Sequence, residues 1–535
     1  MKTVDRRKFI EFIGVIGVGT AVTGLAGCKN PTQTAKTAQI PAFRLKGLNA
    51  SAKDELLLTE GFNSEVLIRF GDRIADRETF GFNNDYIAFL PDENKPNSGM
   101  VWVNHEAIDP KFVSGRTIAD EPSKEQVDKE LYNVGGTFVH ITLKGDKWQI
   151  DQDHPNNRRL SGHSPMSFLW SEQIGGESPI GTLANCAGGV TPWGTVLTCE
   201  ENFQDCFGDR KRGEQDIVEG YYRWNRIYNR PPEHYGWVVE VDPASNAGKK
   251  LVALGRCAHE CATVNQLDDG RLVIYTGDDK ENECLYKFVS CEPNSLEHGT
   301  LYVANIDAGI WIPIDWERQD VLKDNFKDQT EVLTFLREAA ALVGGSKLDR
   351  PEDIEIDPIS GDVFVALTKN KSRGNFFGSI LKINEKGSYD GPTFVSESFL
   401  TGGEQTGFAC PDNLVFDQNG NLWFTSDISN SSLNVDPYKA FGNNGLFLAP
   451  RTGEQAGEVI KIASAPMDAE FTGPCFSADQ RSLFLSVQHP GASSSDDLTE
   501  LSSTWPDGGI PKPSVVVITG ENLERFTQKN TATQE

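Results

Sequence analysis

The stretch from Asn185-Cys186-Ala187-Gly188-Gly189 to Cys199-Glu200-Glu201-Asn202 begins with a thiol and ends with two carboxylates and an amide. Between them lie the break Thr191-Pro192-Trp193-Gly194 and a short apolar run, Thr195 to Leu197. A Gly/Pro break between short runs of this kind reads as two extended segments around a tight turn. In an antiparallel pair the start of the first strand lies beside the end of the second. Cys186 should therefore converge with Glu200 and Glu201. A soft sulfur beside hard carboxylate oxygens suits a mixed metal site, iron or zinc with a calcium-like partner. The competing reading of this stretch alone is a buried structural cysteine and a solvated acidic turn.

The elements that would position such a site recur along the chain. His259-Glu260 opens a run that turns at Asp268-Asp269-Gly270 and returns through Leu272–Tyr275 to Asp278-Asp279. Arg350-Pro351-Glu352 leads through Ile354–Asp357 and Gly361 to Val363–Leu367. Pro411-Asp412-Asn413 leads through Gly420 to Leu422–Asp427, and Glu470-Phe471-Thr472 leads to Leu483–Val487 and Gln488-His489. Met100–Val103, ending in Asn104-His105-Glu106, matches the second strand of the same unit. Degenerate hairpin units at irregular intervals predict an all-β fold, a β-propeller of about six blades with irregular insertions and a few short helices. The clearest helical stretches are Gln329–Leu342 and Ser123–Leu131. In a propeller the matching strand ends share one mouth of the central channel. Carboxylates gathered there repel one another unless cations sit between them. Glu106, His259, Glu470 and His489 are further candidates for that mouth, as is His105.

The chain opens with a targeting segment rather than with fold. Arg6-Arg7-Lys8-Phe9-Ile10 is a twin-arginine pattern, followed by an apolar stretch, Ile13 to Ala26. That stretch is short and glycine-rich for a membrane span. Leu25-Ala26-Gly27-Cys28 resembles a bacterial lipobox, with cleavage before Cys28 and lipidation of its thiol. The expected organisation is a leader over 1–27, a flexible tether over 28–42, a propeller over 43–525 and a disordered tail over 526–535. The implied route is the twin-arginine translocase, which carries folded proteins. The implied location is a membrane-anchored lipoprotein in the periplasm or at the cell surface.

The formal net charge is −26. Lys2, Arg6, Arg7 and Lys8 against Asp5 and Glu11 give the leader +2, so cleavage leaves −28. Such a field disfavours nucleic-acid binding. Of the 10 cysteines, loss of Cys28 to a lipid leaves an odd number, so one at least is unpaired. Cys186 is the expected free ligand, with Cys199/Cys206 or Cys284/Cys291 as candidate disulfides. Cys257-x3-Cys261 is a weak zinc-like spacing with no second pair to match. His154, His163, His234 and His298 lie in polar loops and are expected to face solvent, while His140 lies in a strand-like run.

Taken in order, several motifs together resemble the PhoX family of bacterial alkaline phosphatases, twin-arginine-exported propeller phosphatases. They are Thr191-Pro192-Trp193-Gly194-Thr195 with Cys199-Glu200-Glu201-Asn202, Gly255-Arg256 with His259-Glu260, Arg350-Pro351-Glu352, Pro411-Asp412-Asn413, and Gly473-Pro474 with Gln488-His489-Pro490-Gly491. The resemblance spans roughly residues 80–495. It implies hydrolysis of phosphate monoesters, with iron and calcium as cofactors at the channel mouth and small phosphate esters as substrates. It makes Cys186 the iron-bridging thiolate. Glu200, Glu201, Glu260 and Glu352 become metal ligands, and Arg350 the group that holds the substrate phosphate. Arg350 and Glu352 are the expected catalytic pair, and Asp412 and Asn413 are mouth residues counted among the metal ligands. Two departures stand out: the chain is short for the family, and Cys257 and Cys261 flank the His-Glu pair.

The chemistry is coherent from the residues upward. A phosphate dianion is repelled by bare carboxylates, and clustered cations reverse that local sign. Arg350 offers a planar fork for the phosphate; its alternative role is a surface ion pair with Asp349 or Asp353. Two other functions remain open. One is a calcium-dependent lactonase of the gluconolactonase propeller type, suggested by Pro411–Phe424. The other is a non-catalytic binding propeller.

Overall fold

Short apolar runs such as Val363–Leu367 and Leu422–Ser426 are buried along their whole length, as strands covered on both faces must be. Glycines with positive φ, such as Gly361 (74°) and Gly420 (76°), turn the chain between such strands, where a side chain would be strained. In the computed structural model, which describes residues 43–529 apart from 171–173, 175–177 and 246, these hairpins build six sheets of four or five strands, plus a two-stranded ribbon.

The six sheets are the blades of a propeller. Their innermost strands are Asn84–Asp92, Asn185–Val190, Thr263–Gln266, Pro351–Ile356, Pro411–Phe416 and Glu470–Phe476. Each pairs antiparallel with the next strand in the chain. The ring is closed by Asn63–Arg69, which pairs with Ser514–Thr519 on the outside of the last blade. An early and a late segment thus share one sheet, which covers an edge that would otherwise stay unpaired. The core lies between blades. One cluster, for example, joins Leu197 and Val238 of the second blade to Ile274 and Phe288 of the third.

Helices are few and lie in the connections. Ser123 caps Lys124–Asn133 in a capping box with Gln126, close to expectation. The helix expected over Gln329–Leu342 is two, Gln329–Thr334 and Leu336–Val343. The break has a cause: the Leu333 carbonyl accepts the Arg256 N–H at 2.8 Å, while Phe335 leaves the helical region (φ −111°, ψ 50°). No helix among the described residues is long and apolar enough to cross a membrane.

The leader, Cys28 and the tether through residue 42 lie outside the described residues, as do 530–535. The final helix, Glu521–Thr527, carries the fold past the boundary expected at 525. All nine described cysteines are free, so neither expected disulfide forms. Cys199 is buried in the cluster between the second and third blades, and Cys206 in a separate one with Phe203 and Trp224. Cys284 is buried, whereas Cys291 is exposed. His234 is also buried rather than solvent-facing.

Candidate metal centre

The first pairing in each blade follows one rule. Asn84 faces His105, Asn185 faces Glu200, His259 faces Asp278, Pro351 faces Leu367, Pro411 faces Ser426, and Glu470 faces Gln488. The residue after each first-strand partner in the first five blades is Asp85, Cys186, Glu260, Glu352 or Asp412. A register shift follows directly in four of these hairpins, and the sixth has one between Thr472 and Cys475. A bulge of this kind re-aims the side chain at the strand end, and here it points these groups into the channel. Just before them stand Asn83, Ala184, Arg350 and Cys410, all with φ between 45° and 55°. Left-handed backbone at a non-glycine costs about 1–3 kcal/mol, and four blades carry it at the same place. On the second strands the following residue is Glu106, Glu201, Asp279, Asp427 or His489, with Thr368 in the fourth blade.

The result is a cavity of about 290 Å³ at the channel mouth. Nine carboxylates line it (Asp85, Glu106, Glu201, Glu260, Asp279, Glu352, Asp412, Asp427 and Glu470), together with the thiol of Cys186, Arg350 and His489. Among the described residues, three groups offer ligand atoms within 4.8 Å of one another: Asp85–Glu106–Cys186, Cys186–Glu201–Glu260 and Glu260–Glu352–Asp412. They form a chain in which Cys186 belongs to the first two and Glu260 to the last two. The Cys186 Sγ is 3.5 Å from Asp85 Oδ2 and 3.2 Å from Glu260 Oε1. Gln488 Nε2 donates to Asp85 at 3.0 Å and to Glu106 at 2.7 Å.

Electrostatics confirm the strain of this gathering. Burial, then the neighbouring carboxylates, push Asp85 and Glu260 well above the usual carboxylate range, and Cys186 well above the usual thiol range. Burial pushes Glu470 up to about 7. Burial works to lower His489, but Glu470, 3.2 Å away, raises it to about 9. Asp85 Oδ1, Glu201 Oε1 and Glu352 Oε1 are buried without a hydrogen-bond partner. Arg350 Nη2 lies 2.6 Å from that Glu352 oxygen as an ion-pair contact only. Asp85 Oδ1 and Glu201 Oε1, buried acceptors with no donor, beside a thiol and further carboxylates, form a donor set that fits metal cations.

Arg350 is pinned on one flank. Its Nε and Nη2 donate to Asp279 at 2.8 and 2.6 Å, and its Nη1 donates to Asp427 at 3.0 Å. Its partners are therefore Asp279, Asp427 and Glu352, not Asp349 or Asp353. Lys369 Nζ lies 3.4 Å from Asp427 and reinforces that flank.

Four expected residues sit elsewhere. Glu200 is fully buried and faces away from the channel. It accepts from Lys250 Nζ at 2.7 Å and from the backbone N–H groups of Leu183, Gly236 and Trp237. As the residue paired with Asn185, it points opposite to Glu201, which follows it. His259 is held by Thr276 Oγ1 at 2.9 Å and the Gly255 carbonyl at 2.8 Å. His105 is likewise held, by Phe82 and Thr137. Asn413 does not line the channel-mouth cavity; its Oδ1 accepts from Gly473 N at 2.6 Å, and its Nδ2 donates to Asp412 at 3.1 Å. Cys257 and Cys261 take no part in the three ligand groups. Asp85, Asp279, Asp427 and Gln488 were missing from the expected set. Their signal was the blade repeat: Asp279 and Asp427 end second strands as Glu106 and Glu201 do, and Asp85 starts a first strand as Cys186 does.

Residues 43–491 match the profile of the family described as alkaline phosphatase PhoX. PhoX of Pseudomonas fluorescens, solved in complex with vanadate, a transition state analogue, superposes with a TM-score of 0.80 at 30% identity, over 90% of this chain and 98% of that one. A Dyadobacter fermentans protein of unknown function gives a TM-score of 0.41 at 9% identity, over 86% and 100% of the two chains. A putative gluconolactonase gives 0.35 at 9% identity, over 89% and 98%. These last two likenesses are too weak to argue from. No match was found among curated proteins.

Proposed function

The chain belongs to the alkaline phosphatase PhoX family, and we propose that it is a metal-dependent phosphomonoesterase acting outside the cytoplasm. The observation that carries this reading is the chain of three ligand groups hinged on Cys186 and Glu260 beside Arg350. A calcium-dependent lactonase needs no thiol shared between two groups, and Cys186 is so shared. The vanadate complex of the Pseudomonas relative supports phosphoryl transfer here.

Asp85, Glu106, Cys186, Glu201, Glu260, Glu352 and Asp412 are the residues that would hold the cations. The thiolate groups favour iron, and the all-carboxylate group Glu260–Glu352–Asp412 favours calcium. Bound cations supply positive charge for the phosphoryl oxygens and activate an oxygen nucleophile. The remaining work falls to the protein. Asp279 and Asp427 hold the Arg350 guanidinium still. Of its five N–H donors, three are engaged with them and Nη2 also lies against Glu352 at 2.6 Å, leaving one N–H on Nη1 for a phosphate oxygen. Gln488 orients Asp85 and Glu106, and Asn413 holds Asp412 and the Gly473 turn. The substrates are small phosphate esters. The twin-arginine leader and the lipobox at Cys28 support export by the twin-arginine translocase and a membrane anchor.

The test is metal analysis of the exported protein by plasma emission, together with p-nitrophenyl phosphate hydrolysis before and after chelation. Iron plus calcium with chelator-sensitive release of phosphate supports the reading. Calcium or zinc alone without phosphatase activity overturns it.

A further inference from the structure

Each blade has a mouth end and a remote end. In the fifth blade the mouth end carries the pairings of Pro411 with Ser426 and of Gly445 with Ser464, and the remote end those of Phe416 with Leu422 and of Leu448 with Ile460. From Arg44 the chain runs beside the strand Ile460–Ser464, and it starts at the remote end. Arg44 Nη2 donates to both carboxylate oxygens of Glu458 at 2.8 Å. The Gln455 amide accepts from Leu45 N at 2.7 Å and donates to Leu45 O at 3.1 Å. Gln455 and Glu458 stand in the remote connection between Gly445–Ala449 and Ile460–Ser464. The chain then passes Lys461, whose carbonyl accepts from Leu48 N at 2.8 Å. It reaches the mouth end at Ser51, whose carbonyl accepts from Asn443 N at 2.7 Å.

The two ends differ in their connections. At the remote end the first two strands of every blade are joined by turns of six residues or fewer, such as 191–195, 357–362 and 417–421. At the mouth end the connections are long: 106–134, 201–237, 427–444 and 489–513. Two of the short remote turns carry exposed apolar side chains, Trp193 at 37% and Ile359 at 57%. Trp193 Nε1 donates to Glu240 at 2.9 Å. An amphipathic ring of this kind suits the headgroup layer of a bilayer, where one part stays wet and the other is apolar.

We infer that the remote face is the surface that the anchored protein turns to the lipid bilayer, so that the mouth opens away from the membrane. This rests on the reading of Cys28 as an acylated anchor. Residues 29–42 separate Cys28 from Phe43, fourteen in all, and fourteen residues span at most about 50 Å fully extended. With the remote face toward the lipid, the chain enters the fold at Arg44 on the membrane side, and little of that reach is used. With the mouth toward the lipid, the same residues must pass the length of a strand such as Pro411–Phe416, about 20 Å, and then the connection 427–444 beyond it. Drawing a chain out in this way costs conformational entropy. The mouth-side connection 489–513 also carries Asp496, Asp497 and Glu500, which an anionic leaflet repels. In this orientation the mouth takes esters from the surrounding solution rather than phosphate groups displayed by the anchoring bilayer.

The experiment uses the acylated, metal-loaded full chain on vesicles of phosphatidylcholine and phosphatidylglycerol that carry an acceptor dye on a lipid headgroup. A donor dye is attached at Thr452→Cys in the remote connection or at Val435→Cys in the mouth-side connection of the same blade, both exposed positions. Each variant is made in a Cys291→Ser background, which removes the exposed thiol among the described cysteines. Energy transfer from position 452 should exceed that from position 435 by about twofold or more, since a strand length of about 20 Å separates the two ends. Transfer from position 435 equal to or greater than that from position 452 overturns the inference and leaves the anchor in place. No transfer from either position, with the protein recovered apart from the vesicles, overturns the anchor at Cys28 and the inference with it.

Discussion

Glu200→Gln and Glu201→Gln alter neighbouring carboxylates and should fail in opposite ways. Glu200 is fully buried, and its carboxylate takes Lys250 and three backbone N–H groups as donors. Lys250 is itself fully buried, sits over the Tyr235 ring at 4.4 Å, and is held down to about 8 by burial, with Glu200 opposing the shift. Removing one partner of a buried ion pair costs about 3–5 kcal/mol, because the other charge is left uncompensated. Unfolding entropy near 60 °C is about 2.1 cal/mol/K per residue. Over the described residues that is about 1 kcal/mol/K, so Glu200→Gln should lower Tm by about 3–5 °C. Metal content per folded molecule and kcat should stay close to wild type. Glu201→Gln should do the reverse, leaving the metal-free Tm unchanged or higher while metal content and phosphatase rate fall. The double variant Glu200→Gln/Lys250→Met should recover most of the lost stability, since it removes the buried charge that Glu200→Gln leaves uncompensated. The assay is calorimetry with metal analysis and p-nitrophenyl phosphate turnover on the same preparations. Loss of metal from Glu200→Gln at an unchanged Tm would refute the reasoning and return Glu200 to the ligand set.

Cys186→Ala should remove iron and activity while most of the propeller stays folded, whereas Cys199→Ala should cost about 1 kcal/mol of packing and keep most of the rate; iron content and turnover of both variants decide, and full iron in Cys186→Ala would sink the assignment. Prolonged EGTA should lower Tm as well as stop turnover, because the nine carboxylates of the mouth repel once cations leave; an unchanged melting curve with calcium shown to be gone counts against the cluster. Burial pushes the thiols of Cys284 and Cys475 up to about 12 from an ordinary value of 9.0, so their contribution to stability is whole below pH 9 and is lost as pH rises toward 12. Each then costs up to about 1.4 kcal/mol per pH unit, and Cys284→Ala should flatten the fall of stability with pH in that window, measured by urea unfolding. Cys28→Ser should release the protein from the membrane fraction; a wild-type protein recovered wholly soluble from the periplasm would rule out the anchor.

Hairpin by hairpin, the sequence determined the fold on its own. Gly turns between short apolar runs are local signals, and residues such as Val363–Leu367 carry them without help from the rest of the chain. The placement of Cys186 at a strand start beside Glu201 was legible for the same reason, since an antiparallel pair brings those ends together whatever surrounds it. The recurrence of acids at strand ends likewise announced one shared mouth. What the sequence could not determine was which of two adjacent acids enters it. Glu200 and Glu201 are identical in type, and only the pairing of Glu200 with Asn185, with Lys250 arriving from a later strand of the same blade, turns one into the core and the other into the channel. The same limit explains His259 and His105, whose partners Gly255, Thr276, Phe82 and Thr137 are chosen by tertiary packing. Asp85 carried the blade-repeat signal at the start of a first strand, but its contact with Cys186 at 3.5 Å is set by the packing of the first blade against the second. The left-handed residues Asn83, Ala184, Arg350 and Cys410 share no type, so no composition rule marks them. Their common conformation follows from the bulges that the assembled blades impose, and those bulges aim the ligands at one another.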